Sequence, residues 1–169
     1  MAHQTNSLGR YGIAVLMAVT LAGCATPPAA DPIAPVSTEA DETAIRQVLA
    51  DTQQRFNAGD LDAFMPVFAS DAVIMAPSAP DVVGFEAIRT MYRDAFEQVA
   101  MQVNFSTDEI EVFGDLAYER GTYTLQVSDK ASGEVIQEVE NRHIHIFRRQ
   151  ADGSWKTWRM MVNVAEPTP

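Results

Sequence analysis

After Met101 the sequence reads as one strand after another, broken only at Gly114-Asp115, Asp129-Lys130-Ala131-Ser132-Gly133 and Gln150-Ala151-Asp152-Gly153. Turns this short join neighbouring antiparallel strands, because a parallel return needs a crossover of about a dozen residues or more. The second half of the chain is thereby committed to an antiparallel meander. In its first strand the apolar parity switches from Val103 and Phe105 to Ile110 and Val112. That switch predicts a bulge between Ser106 and Glu109, which would curve the sheet into a cup.

The first half supplies helices to fill the cup. Thr38 is placed to cap a helix whose first turn carries Glu39, Asp41 and Glu42, acids suited to the positive end of its dipole. Ile45, Val48, Leu49, Thr52 and Phe56 follow at spacings of three and four, which is one buried stripe. Asn57-Ala58-Gly59-Asp60 ends that helix, and Asp60 can cap a second one, kept short by Pro66, with Phe64, Val67 and Phe68 inward. A brief strand at Ala72 to Met75 and a proline-containing loop lead to Gly84 and a third helix, with Phe85, Ile88, Tyr92 and Phe96 on one side. The expected fold is α+β: three amino-terminal helices packed on a curved antiparallel sheet, enclosing a concave apolar site for a small ligand.

Residues 1–38 are of a different kind. Arg10 precedes the apolar run from Ile13 to Gly23, too short to span a bilayer comfortably and suited to a secretory signal. Leu21-Ala22-Gly23-Cys24 resembles the bacterial lipobox, in which small residues before a cysteine fit the lipoprotein signal peptidase. Residues 1–23 are therefore expected to be a lipoprotein signal peptide and Cys24 the lipidation (palmitate) site, with 24–38 a linker and 39–165 the domain. Four prolines, Pro27, Pro28, Pro32 and Pro35, favour extended backbone in that linker, which at about 3.1 Å per residue would reach roughly 40 Å. By similarity to Gram-negative lipoproteins, Ala25 implies an outer-membrane protein facing the periplasm. A single cysteine also excludes an intramolecular disulfide.

With 12 Lys and Arg against 23 Asp and Glu, and no basic cluster, the chain lacks the charge that phosphate backbones require. Nucleic acid is not expected as a partner. The net charge of −11 also disfavours anionic ligands and favours a neutral, apolar one.

Five segments in order carry a family resemblance: Phe56-Asn57-Ala58-Gly59-Asp60-Leu61-Asp62, Ser70-Asp71-Ala72-Val73, Gly84-Phe85-Glu86-Ala87-Ile88-Arg89, Gly114-Asp115-Leu116-Ala117-Tyr118 and Phe147-Arg148-Arg149-Gln150-Ala151-Asp152-Gly153-Ser154-Trp155-Lys156. From residue 41 to about 163 they resemble the SnoaL-like branch of the nuclear transport factor 2-like superfamily. The resemblance implies a cone-shaped α+β (cystatin-like) fold, a pocket between helices and sheet, and homodimers formed through the outer sheet face. Relatives include ketosteroid isomerases, cyclases, hydrolases and binding domains without chemistry, so the pocket residues must decide the function.

Carried over position by position, the ketosteroid isomerase oxyanion tyrosine falls on Thr52, the general-base aspartate on Ala76 and the protonated aspartate on His145. Alanine can abstract no proton, so that mechanism is not expected. The same resemblance turns His143, His145 and Phe147 inward on one strand, Trp158, Met160 and Val162 on the last, and Arg120, Thr122 and Thr124 on a third.

Ligand-binding positions are then Thr52, Phe56, Met75, Tyr92, Arg120, Trp158 and Met160, with His143 and His145 as the candidate catalytic pair. Two histidines two apart on a strand share a face and suit acid/base work, polar lining or an interface. A catalytic zinc would need a third ligand, a carboxylate that the sequence does not place beside them, so no metal and no cofactor is assigned. Arg120 either grips a ligand carboxylate or pairs with Glu119 or Glu138 on the surface. Two functions follow: a lipid-anchored binding protein for a small hydrophobic molecule, or an isomerase, cyclase or hydrolase using His145 with His143 or Arg120.

Overall fold

The computed structural model describes residues 39–165; the expected export signal and linker, with Cys24 and Thr38, lie outside the described residues. Helix α1 (Glu39–Asn57) opens with its three acids and buries Ile45, Leu49 and Phe56. Gly59, at φ 65°, turns the chain, and the Asp60 carboxylate accepts the Ala63 N–H at 3.0 Å to cap α2 (Leu61–Phe64). Pro66 then confines Met65–Val67 to a single 3-10 turn. Strand β1 (Phe68–Met75) starts four residues earlier than its apolar run suggests, and a two-residue strand β2 (Val82–Val83) folds back on it. Helix α3 (Phe85–Gln98) follows Gly84, buries Ile88 and packs Phe85, Tyr92 and Phe96 on the core. Among the described residues no helix is long and apolar enough to cross a membrane.

The remaining strands are β3 (Ala100–Phe113), β4 (Leu116–Ser128), β5 (Val135–Arg149) and β6 (Trp155–Val164). Their pairing is the expected antiparallel meander, but the whole sheet runs β2-β1-β6-β5-β4-β3, and β1 lies parallel to β6. The sheet is therefore mixed, not wholly antiparallel. The parallel pair is possible because α3 and four strands separate β1 from β6 along the chain, ample length for a crossover.

The register of β3 on β4 shifts between Thr107 and Glu109, inside the segment where the parity switch predicts a bulge. A second shift, between Ile146 and Phe147, leaves Trp158 as an extra residue on β6. Bulges bend long strands, and the helices sit on the concave side. At one end α1 closes on the sheet through Ile45, Leu49, Val112, Phe147 and Trp155; toward the other, Phe56, Phe64 and Phe68 pack with Ile88 and Val103.

The inward face is set by what opposes what. Glu119 pairs with His145 and Gly121 with His143, and directly opposed residues share a face. His143, His145 and Phe147 thus point inward as expected. On β4, however, the inward row is Ala117, Glu119, Gly121, Tyr123 and Leu125, whereas Arg120, Thr122 and Thr124 point outward, reversing the expected face. Gly121 is required there: a Cβ would lie 2.0 Å from the Ser106 carbonyl oxygen, where the β3 bulge crosses over it.

Candidate functional site

Between the helices and the concave face lies a cavity of about 240 Å³, walled mainly by Phe56, Phe64, Phe68, Met91, Phe105 and Met160. The wall is held by edge-to-face aromatic packing: Phe56 meets Phe64, Tyr92 and Phe96 with ring centroids 5.5, 6.0 and 5.2 Å apart. Polar groups are few. Thr52, Tyr92, Tyr123, His145 and Thr157 contribute to the lining, and no lysine or arginine does. The Thr52 hydroxyl is engaged by its own helix, donating to the Val48 carbonyl at 2.6 Å. Burial pushes the Tyr92 phenol well above its ordinary pKa, with the neighbouring Tyr123 adding to the effect, so it stays a neutral donor.

Beside this cavity, Glu119 points inward from β4 with a side chain wholly shielded from solvent. His143 Nε2 lies 2.9 Å from its Oε2 and 3.1 Å from its Oε1, and His145 Nδ1 lies 3.5 Å from Oε2. The two imidazoles are stacked at a tilt, centroids 4.7 Å apart. Phe105 touches both rings edge-on, and Phe147 closes over His145. Burial first, and the neighbouring His143 second, hold the His145 pKa down at about 3, so its imidazole is neutral at neutral pH. Three ring nitrogens, His143 Nδ1 and both of His145, are buried without a hydrogen-bond partner.

Thr52, Phe56, Tyr92 and Met160 line the cavity together with His145, while His143 stands behind it on Glu119. Arg120 is not in the cavity. Its guanidinium is on the outer face, bound to Glu109 and, at 3.2 Å, to Asp108, rather than to Glu119 or Glu138. Trp158 is also displaced, because the β6 bulge gives the inward place to Thr157 and then to Met160. Its indole donates to Asp71 at 3.0 Å, and the guanidinium groups of Arg148 and Arg159 lie over its ring. Met75 ends β1 opposite Met161 and does not reach the cavity, and Ala76 is exposed just beyond it.

Glu119, considered from the sequence only as a surface partner for Arg120, is instead fully buried. It supplies the carboxylate beside the histidine pair that spacing along the chain could not place. Ligand atoms of Glu119, His143 and His145 all lie within 4.8 Å of one another, a donor set suited to a proton relay or a metal ion.

Comparison with known proteins agrees with this architecture. A model of the SnoaL-like domain family matches residues 49–158. No curated protein matches the sequence. Among solved structures, a ketosteroid isomerase-like protein from Erwinia carotovora atroseptica is similar at 24% identity and a TM-score of 0.67, over 77% of this chain and 100% of that one. A nuclear transport factor 2-like superfamily protein from Salmonella enterica aligns at 12% identity and a TM-score of 0.69, over 79% and 96%. A protein with a cystatin-like fold from Nostoc punctiforme aligns at 18% identity and a TM-score of 0.61, over 78% and 96%. At these identities the structures establish the fold alone, and the family model covers most of the domain: the chain belongs to the SnoaL-like domain family, on the cone-shaped nuclear transport factor 2-like fold.

Proposed function

We propose that the protein is a lipid-anchored, periplasm-facing binding protein whose cone takes up one small, neutral, mostly apolar molecule. The observation that carries this reading is the cavity itself: aromatic and methionine walls, a few hydroxyls and one neutral imidazole, and no cation. Its volume of about 240 Å³ exceeds the roughly 150 Å³ that admits benzene and falls short of the range of about 300 to 1,000 Å³ usual for drug-sized ligands. One- or two-ring molecules bearing a single hydroxyl or carbonyl fit that size; a four-ring steroid does not. Tyr92, Tyr123 and Thr157 are placed to meet the polar atom.

Anchoring through Cys24, probed by labelled palmitate, is lost in Cys24→Ala on this reading. Homodimerisation is proposed through the outer sheet face, where Ile144 and Met161 are exposed, and sedimentation of the wild-type chain reads it.

The binding reading is tested by thermal unfolding against monocyclic terpenoids, substituted phenols and four-ring steroids, with product analysis of the same mixtures. A one- or two-ring compound at 100 times its Kd stabilises the protein by about 2.7 kcal/mol, and Met160→Trp, which fills the cavity, removes the effect. No shift with any compound would sink the reading. One observation favours a second function, an isomerase, cyclase or hydrolase: neutral His145 reaches the cavity and is backed by Glu119. Turnover that disappears in His145→Ala would establish it in place of simple binding.

A further inference from the structure

We infer that Glu119, His143 and His145 form a binding site for a divalent first-row transition metal ion of the zinc class, beside the apolar cavity. The donor set is two imidazoles and one carboxylate, a combination that holds such ions with one coordination position left open. The geometry is close to the one required. Bonds of about 2.1 Å in a tetrahedron place neighbouring ligand atoms roughly 3.4 Å apart. Glu119 Oε2 lies 2.9 Å from His143 Nε2 and 3.5 Å from His145 Nδ1, and all three ligand atoms lie within 4.8 Å of one another, so rotations that draw the two imidazoles together complete the shell.

Two further observations point the same way. The Glu119 side chain is fully buried, and among the described residues its ion-pair partners are the two imidazoles alone, with no guanidinium or ammonium in contact. A buried carboxylate needs a compensating positive charge, and a dication supplies it. The unpartnered buried nitrogens include both of His145, the Glu119 carboxylate standing 3.5 Å from Nδ1 without a hydrogen bond to it. Buried polar atoms almost always have a partner, and a metal ion at Nδ1 is one. A proton shared between Glu119 and His143 leaves His145 as it stands. His145 also lines the cavity, so the open coordination position would be available to water or to the oxygen of a bound ligand.

This site goes beyond the ligand-binding reading and is tested apart from it. The full, untagged chain is stripped with a chelator and titrated with Zn²⁺ by calorimetry, then loaded with Co²⁺ for visible absorption. The inference expects one ion per chain and the intense spectrum of four-coordinate cobalt. Glu119→Gln and His145→Gln each weaken Zn²⁺ binding by more than about 100-fold, the upper end of what loss of even an outer partner does. Glu109→Gln, on the outer face, leaves it unchanged. X-ray absorption of the zinc-loaded wild type, which depends on no variant, shows two imidazole ligands. Absence of stoichiometric binding, an octahedral cobalt spectrum, or unchanged affinity in folded Glu119→Gln and His145→Gln protein would overturn the inference. The ligand panel run on metal-free protein reads the apolar cavity alone, so failure of one idea is distinguishable from failure of the other.

Discussion

Glu109 and Glu119 are carboxylates on adjacent strands, and they live under opposite rules. Glu109, outside, accepts the Tyr118 hydroxyl and the Arg120 guanidinium in water, and the phenol first and the guanidinium second hold its pKa below the usual value. Glu119, inside, has lost all solvent and meets two imidazoles with orphaned nitrogens. An exposed cluster of this kind contributes little, because water would serve its members nearly as well. A buried one is expensive to assemble and more expensive to break, because a removed partner leaves polar groups that nothing else satisfies. The contrast separates a surface that solubilises the sheet from an interior that is organised for a task.

Breaking the inner cluster gives the largest expected effect. Glu119→Ala lowers unfolding free energy by about 3 to 5 kcal/mol in urea titrations at neutral pH. A value close to wild type would mean that the carboxylate is hydrated. Next is Gly121→Ala. Its methyl group would press on the Ser106 carbonyl, so about 1 to 3 kcal/mol is lost and the β3 bulge shifts, visible as altered amide exchange at Ser106 and Thr107.

These two positions also mark where the sequence could be read and where it could not. The helical stripe of α1, the Asp60 cap, the three turns and the bulge before Glu109 were all legible, since each rests on local spacing or on a residue with one conformational use. So were Thr52, Phe56, Tyr92 and Met160 as residues that line the cavity. The face of β4 was not. Its two rows, Leu116-Tyr118-Arg120-Thr122 and Ala117-Glu119-Gly121-Tyr123, are equally mixed, and a pattern reader declines to bury a glutamate. Only the register against β5 puts Glu119 opposite His145, and that is a contact between distant parts of the chain. The same holds for Trp158, where one extra residue in β6 moves the indole out of the cavity row and onto Asp71. The parallel pairing of β1 with β6 is a third long-range choice, invisible to local spacing.

A smaller effect concerns pH at the cavity wall. Tyr92 keeps its proton in the folded state while an unfolded tyrosine ionises near its ordinary value of 10.0. Above about pH 10 the unfolded chain therefore binds fewer protons than the native one, and stability falls as pH rises. Tyr92→Phe makes that slope shallower, with Tyr118 and Tyr123 still contributing, measured by urea midpoints between pH 9 and pH 11 as a rough working range for a tyrosine titration. An identical slope in the variant would place the phenol in water. Least of all should change in the outer cluster: Arg120→Ala and Glu109→Gln leave unfolding midpoints at the wild-type value, with or without added salt.

The orientation of the β4 and β5 faces carries every functional statement, and side-chain NMR of His145 in chelator-treated protein tests it most directly. Packed among Glu119, His143, Phe105 and Phe147, the ring stays neutral with a pKa of about 3, so its resonances hold still from pH 8 down through the usual histidine range. A titration midpoint near the ordinary 6.5 would put His145 in solvent, reverse the strand face and contradict the account.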